Sequence, residues 1–130
     1  MKLVLLFFVI LCFFASACEE REVIDPKIHI LGKWETTEIR NWPDMHPIEP
    51  SGFVEYKKDS VVLFFDYKAN AYTSQSTYWI TDSLLTERIT RPDGQNLSFR
   101  RSHVMRKNWM RLDFIDILAM NKTAVFRRIR

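Results

Sequence analysis

Apolar and polar residues alternate with a period of two along most of the chain after residue 31. This period is typical of strands that bury one face. Turn-forming sequences separate the alternating segments, and Pro92-Asp93-Gly94 is the strongest of them. The pattern predicts eight strands, at residues 33–41, 53–57, 61–66, 71–80, 84–90, 97–104, 109–115 and 123–129.

The segment 84–90 has an alternative interpretation. Its apolar residues Leu84, Leu85 and Ile89 would also share one face of a short helix, with Ser83 as the N-cap. Every neighbouring segment is a strand joined by a short turn, so a strand is the better prediction. Consecutive strands with tight connections favour an antiparallel meander. Closing a meander removes its exposed edges, so the predicted fold is all-β, an eight-stranded antiparallel up-and-down barrel.

One connection, residues 42–52, is longer than the others. Several prolines restrict its backbone. It also carries Trp42, Met45 and Ile48, which a purely solvated loop would not need. Loops of this length in compact domains are commonly functional, so we expect a role for this one.

The N-terminus has the layout of a secretory signal peptide. Lys2 precedes an apolar run at residues 3–14, which is too short to span a bilayer as a helix. Residues 15–18 read Ala-Ser-Ala-Cys, and a cysteine directly after small residues resembles a bacterial lipoprotein signal. In that family the cysteine is diacylated and becomes the first residue of the mature protein. The alternative is ordinary cleavage, which leaves a free thiol at Cys18.

The lipoprotein resemblance implies a signal peptide at 1–17, a lipidated N-terminus and tether at 18–28, and a folded domain at 29–130. Acyl chains such as palmitate on Cys18 would anchor the protein in the outer membrane, facing the periplasm or the cell surface. Two chains hold a protein firmly, whereas one binds reversibly. The acidic residues within 19–22 are either a solvated tether or a surface-export signal.

Composition narrows the chemistry of the folded domain. Cys12 lies in the signal and Cys18 is the lipid site, which excludes a disulfide, a thiolate metal site and a cysteine nucleophile from the domain. All four tryptophans and all four tyrosines lie beyond residue 17, so an aromatic core can stabilise the domain instead. The formal net charge of +3 is too small to indicate nucleic-acid binding, and the predicted export also argues against a nucleic-acid partner.

Basic residues gather on one predicted hairpin and on the last strand. We interpret them as outward-facing strand charge, with contact to anionic polymer or lipid headgroups as the alternative. They are Arg100, Arg101, Arg106, Lys107 and Arg111, with Arg127, Arg128 and Arg130.

The sequence gives little sign of a metal site or of catalysis. Asp44, His46 and Glu49 share the long connection, but its prolines and short reach make a preformed tetrahedral site doubtful. No Gly-x-Ser-x-Gly elbow and no paired carboxylates are evident. We therefore expect a binding protein, with no cofactor or metal and no enzymatic activity.

Two short motifs resemble the lipocalin signature. Gly32-Lys33-Trp34 opens the first predicted strand, and Phe126-Arg127-Arg128 lies in the last one. The chain is most similar to the short lipocalin-like domains of bacterial lipoproteins. The resemblance implies that Gly32 admits the chain to the base of the barrel and that Trp34 plugs it. Arg128 would lie across the indole and close the seam between first and last strands.

The resemblance also implies a pocket at the open end of the barrel, with residues 42–52 as its lid. A small hydrophobic or amphipathic ligand would then contact Trp42 and Met45 in the lid and Phe53, Tyr72 and Tyr78 on the strands. A barrel of this size either holds one small ligand or is filled by its own side chains. In the second case the protein would bind another envelope protein through its loops.

Overall fold

The computed structural model describes residues 23–116 and 122–130. One short helix, α1 (Pro26–His29), precedes the strands of the described chain. The strands are β1 (Gly32–Asn41), β2 (Asp44–Pro47), β3 (Gly52–Tyr56), β4 (Val61–Asp66), β5 (Ala71–Ile80), β6 (Leu84–Thr90), β7 (Asn96–Arg106), β8 (Trp109–Phe114) and β9 (Thr123–Ile129). The prediction of an all-β fold is confirmed, and residues 84–90 form a strand and not a helix.

Helix α1 lies where the sequence predicts a tether. The side chain of Asp25 accepts a hydrogen bond from the N–H of Lys27 at 3.0 Å, and Pro26 takes the first helical position. The sequence Asp-Pro interrupts an extended chain, but it also favours the start of a helix. Aspartate caps the first turn, and the N–H that proline lacks would have no intrahelical acceptor at the first helical position. Residues 26–28, which the sequence assigns to the tether, thus belong to α1.

Eight of the described strands form a closed ring, namely β1 and β3 to β9, and every pairing in it is antiparallel. Strands that follow one another along the chain pair with each other around this ring. The ring closes where β1 pairs with β9, with Trp34 opposite Arg128. Closure gives both edges of β1 a partner, which an open meander would not.

The predicted loop at 42–52 contains a further strand, β2, which pairs with residues 38–41 at the end of β1. The loop prediction is wrong for this part. Strand β3 pairs only with Gly32–Trp34 of β1, so the rest of that edge would have unpaired N–H and C=O groups. Backbone groups need hydrogen-bond partners, and the return of the chain as β2 supplies them.

The core fills the end of the ring beside α1, which we call the base. Because neighbouring strands are antiparallel, strand starts and strand ends alternate around the base. The start of β1 lies beside the end of β3, which lies beside the start of β4. Trp34 is fully buried at the base, and its indole N–H donates a hydrogen bond to the carbonyl of Ile30 at 2.8 Å. The buried core cluster consists of Ile30, Trp34, Tyr56, Val62, Tyr78, Ile80, Leu85, Met110, Leu112 and Phe126.

Candidate functional site

A cavity of about 220 Å³ lies inside the ring, beyond the packed core. Its apolar lining includes Val54, Phe64, Ile89 and Phe126. Its polar lining consists of Tyr56, Ser74, Ser76, Glu87 and Arg101. Mostly apolar walls with a few convergent polar groups are typical of small-molecule sites. We call this space the interior cavity.

The interior cavity reaches solvent through a split between β5 and β6. Only Thr77–Ile80 of β5 pairs with β6, whereas Ala71–Ser76 pairs with β4 alone. Ser74 shares the inward face of β5 with the buried Tyr78, yet Ser74 is exposed. Small polar side chains at this part of β5 tolerate contact with water, so the split forms the mouth of the cavity.

A carboxylate, a guanidinium and a phenol meet in the interior cavity. Arg101 Nη2 lies 2.5 Å from Glu87 Oε1, and these side chains are 12% and 16% exposed. The hydroxyl of Tyr56 donates to the same Glu87 oxygen at 2.6 Å. Burial raises the pKa of Tyr56 well above its ordinary value, and the negative charge of Glu87 raises it further. The phenol therefore stays protonated and remains a donor to Glu87.

Arg101 has spare donor capacity in this network. Its guanidinium also lies over the ring of Phe114, 5.2 Å from the centroid. Its Nε atom is buried, and no acceptor within the described residues lies at hydrogen-bond distance. Leaving a buried donor unpaired costs more than an average hydrogen bond contributes. The Arg101 side chain that lines the interior cavity therefore has N–H groups that Glu87 does not use, beside an ion pair that is already neutral.

Sequence reasoning missed both charged residues of the cavity, and it placed Arg101 on the outside. Arg101 pairs with Leu85, which is fully buried, so it faces the interior. The signal was present in the alternation of β7, where Arg101 shares a face with Phe99 and Met105. Its position in a run of basic residues concealed that signal.

Two predicted ligand contacts, Phe53 and Tyr72, lie on the outer wall of the ring. Phe53 stacks on Phe65 at 4.9 Å between centroids, and Tyr72 meets Phe65 edge-on at 5.2 Å. A register shift between Phe64 and Phe65 places Phe65 opposite Tyr72, whereas Phe64 stands opposite Ser74. This bulge turns Tyr72 to the face opposite the predicted one.

Phe53, Phe65, Tyr67 and Tyr72 together form what we call the outer aromatic cluster. The hydroxyl of Tyr72 donates to Glu55 Oε2 at 2.5 Å, and that of Tyr67 donates to Glu35. Tyr67 and Tyr72 remain 41% and 49% exposed. Aromatic rings with carboxylates at their edges therefore cover part of the outer wall.

The third predicted strand contact, Tyr78, faces inward but belongs to the core. Its ring meets Tyr56 edge-on at 5.0 Å, and its hydroxyl donates to the carbonyl of Lys57 at 2.7 Å. Tyr78 therefore packs against Tyr56 on the side of the base and does not line the interior cavity.

The predicted lid residues lie away from the interior cavity. The indole of Trp42 stacks on the guanidinium of Arg111, 4.4 Å from the ring centroid, and its backbone N–H donates to Thr123 Oγ1 at 3.2 Å. Arg111 alternates with the buried Met110 on β8, so this contact lies on the outer wall. Met45 is half-buried on β2. The predicted lid does not cover the cavity because its residues 44–47 pair with the edge of β1 as strand β2.

Three residues meet at the base as the lipocalin resemblance implies. The guanidinium of Arg128 lies over Trp34, 4.2 Å from the ring centroid. Its Nη1 donates to the carbonyl of Leu31 at 2.7 Å, and its Nη2 donates to the carbonyl of His29. Gly32 has a φ of +113°, and a Cβ there would lie 3.2 Å from Arg128 Nη1. The absence of a side chain at Gly32 thus leaves room for the guanidinium.

Two other features bear on candidate sites. A groove of about 390 Å³ lies beside α1 and carries Lys27 and Lys58, but it lacks a buried charged group. Within residues 23–116 and 122–130, no cluster of three or more His, Cys, Asp or Glu side chains could hold a metal ion. The interior cavity is therefore the best candidate for a functional site.

The predicted lipidation site, Cys18, lies outside the described residues, as does the whole signal peptide. Among the residues that are described, no helix has both the length and the apolar character needed to cross a membrane.

The geometry defines an all-β protein with a closed antiparallel ring, a packed base and a small interior cavity. The sequence matches no protein-family model and no curated protein. The fold is similar to the crystal structure of an uncharacterized protein from Bacteroides eggerthii, with a TM-score of 0.52 at 17% sequence identity. The match covers 76% of this chain and 98% of that one. At this identity the likeness shows the fold alone.

Proposed function

We propose that the chain is a lipid-anchored protein of the cell envelope whose ring is a small lipocalin-like, eight-stranded up-and-down barrel. Its role would be to bind a small hydrophobic or amphipathic molecule inside that barrel, without catalysis. The closed pairing of β1 with β9 and the contact between Trp34 and Arg128 support the lipocalin-like assignment.

The observation that carries the binding role is the interior cavity. Protein interiors are normally packed to crystal-like density, with few voids larger than a water molecule. A cavity of about 220 Å³ that opens at the split between β5 and β6 departs from this dense packing and supports a binding role. An apolar cavity of roughly 150 Å³ accommodates benzene, so this one, scaled by volume, accommodates a molecule of roughly nine non-hydrogen atoms.

The binding role is tested by filling the cavity from β5. Ser76→Phe adds an aromatic ring on the inward face, and Thr77→Phe adds the same ring one residue along, on the outward face. Acetophenone, as a small amphipathic probe, is titrated while nuclear magnetic resonance follows the methyl groups of Val54 and Ile89. We expect saturable shifts in the wild type and in Thr77→Phe, and none in Ser76→Phe. Equal shifts in all three proteins would place the binding elsewhere.

The anchoring role rests on residues 15–18 and needs its own experiment. Cys18→Ala removes the acylated thiol that the lipoprotein resemblance implies. We expect the variant to move from the membrane fraction to the soluble fraction of cells, and Cys12→Ala to serve as the unchanged control. Membrane association that persists in Cys18→Ala would contradict the lipid anchor.

A second candidate function is binding to another envelope protein, and the outer aromatic cluster favours it. Exposed aromatic rings are enriched at protein interfaces, and Tyr67 and Tyr72 are both well exposed. A partner crosslinked in intact cells should be lost in the Tyr67→Ala/Tyr72→Ala variant and retained in Ser76→Phe. The opposite result would assign the interaction to the mouth of the cavity.

A further inference from the structure

The interior cavity is electrically balanced before any ligand enters. Arg101 and Glu87 carry opposite charges and lie 2.5 Å apart, and the neighbouring Tyr56 is held in its neutral form. His103 also lies on the inward face of β7, but its Nε2 is engaged with the carbonyl of Thr81 at 2.8 Å, nearer the base. An anionic ligand would therefore bring an uncompensated charge into a confined space, next to the carboxylate of Glu87.

The guanidinium of Arg101 nevertheless has donors to spare, because Nη2 is its one polar contact with the described chain and Nε has no partner there. Glu87 already takes the Nη2 side of the guanidinium, and Phe114 covers one face of it. A ligand oxygen is the group that would complete this donor set. A hydrocarbon brings no oxygen, whereas a carboxylate brings an oxygen together with a charge.

We propose that the interior cavity selects neutral molecules that carry one acceptor oxygen, such as a ketone, aldehyde or amide on a small apolar body, and that the guanidinium of Arg101 donates to this oxygen. This inference rests on the proposed binding function and adds the chemical class of the ligand. Glu87 sets the preference against acids, because it neutralises the guanidinium that an acid would otherwise use.

The experiment compares three probes with the same planar skeleton and the same number of non-hydrogen atoms. Acetophenone offers a neutral carbonyl, α-methylstyrene replaces the carbonyl with a methylene, and benzoate carries a full negative charge near neutral pH. Each is titrated into the protein while the methyl resonances of Val54 and Ile89 report occupancy of the cavity. A hydrogen bond to a charged donor predicts that acetophenone binds about tenfold more tightly than α-methylstyrene.

Glu87→Gln is the variant that isolates the charge. Its amide oxygen can still accept from Tyr56, but it no longer neutralises Arg101. We expect benzoate to bind more weakly than acetophenone in the wild type, and benzoate to gain at least tenfold in Glu87→Gln. The ratio between acetophenone and α-methylstyrene should change much less in the variant, because the Arg101 guanidinium is retained.

The outcomes separate the two proposals. If acetophenone and α-methylstyrene bind equally, the Arg101 guanidinium gains nothing from a ligand oxygen, and the inference is overturned while the binding function stands. Tightest binding of benzoate to the wild type overturns it in the same way. If none of the three probes shifts the Val54 and Ile89 methyl groups, the binding function itself fails.

Discussion

Arg128 is the residue whose loss should most clearly weaken the closure of the ring. Arg128→Met keeps a flexible apolar stem over Trp34 but removes the guanidinium. The lost cation–π contact, which is partly desolvated, is worth about 1–2 kcal/mol. The carbonyls of Leu31 and His29 also lose a charged donor, which adds about 1–3 kcal/mol. Together these terms predict a loss of about 3 kcal/mol in the free energy of unfolding.

Arg127→Met is the matched control, since it removes the same group from the adjacent position. Arg127 is 63% exposed and forms an ion pair with Glu35 at 2.9 Å. Glu35 is only 13% exposed, but it keeps the hydrogen bond from Tyr67 when Arg127 is lost. A solvated guanidinium contributes about 0–1 kcal/mol to such a pair, so this variant should remain close to the wild type. Arg128→Lys should fall between the two, because it keeps the charge but not the forked donor geometry.

Urea unfolding followed by tryptophan fluorescence measures all three variants, with the free energy taken from the midpoint and the slope. The slopes should agree, because the unfolded chains expose similar surface. If Arg128→Met loses no more stability than Arg127→Met, the contact with Trp34 does not stabilise the closure between β1 and β9.

Further substitutions test a close backbone approach and a coupled pair of titrating groups. A Cβ at Gly52 would lie 1.9 Å from the carbonyl oxygen of Phe65, so Gly52→Ala should force β3 and β4 apart and lower the free energy of unfolding by about 3 kcal/mol. An unchanged urea midpoint would contradict this. Burial and the hydrogen bond to Glu35 raise the pKa of Tyr67 to about 12, so its contribution to stability is complete below pH 10 and is lost as the pH rises towards 12. The hydrogen bond from Tyr67 lowers the pKa of Glu35, so that contribution is present above pH 4.5 and is lost as the pH falls through the lowered value. Tyr67→Phe should flatten both limbs of the stability–pH curve in urea titrations, and a curve parallel to that of the wild type would exclude the coupling.

The order and approximate bounds of the ring strands could be predicted from the sequence because inward positions at the base are consistently apolar. The alternation of Val54 and Tyr56, or of Met110 and Leu112, follows directly from one buried face per strand. The contact between Trp34 and Arg128 could also be anticipated, since the first and last strands of a closed ring are neighbours.

The far half of the ring was harder to predict, because single residues change the face there. The bulge at Phe64 and Phe65 moves Tyr72 to the outer wall, and period-two counting has no means to detect it. Trp42 was predicted in a lid because the sequence does not show that part of the edge of β1 lacks a partner. The next residues pair with that edge as β2, and Trp42 then lies on the outer wall. In both cases the decisive quantity is a pairing register, which depends on residues far away along the chain.

The ion pair inside the cavity is open to a direct test of whether it serves stability or binding. Replacing a buried ion pair by apolar residues of similar volume is often neutral or stabilising by about 1–4 kcal/mol, whereas removing one partner costs about 3–5 kcal/mol. We therefore expect Arg101→Leu alone to be strongly destabilising, because Glu87 then stays buried without its partner. The triple variant Tyr56→Phe/Glu87→Leu/Arg101→Leu leaves no polar group of this network unpaired, and it should be at least as stable as the wild type in urea. It should at the same time lose the preference for acetophenone over α-methylstyrene. If the triple variant is as unstable as Arg101→Leu, the network is needed for folding, and its presence in the cavity is no argument for a ligand.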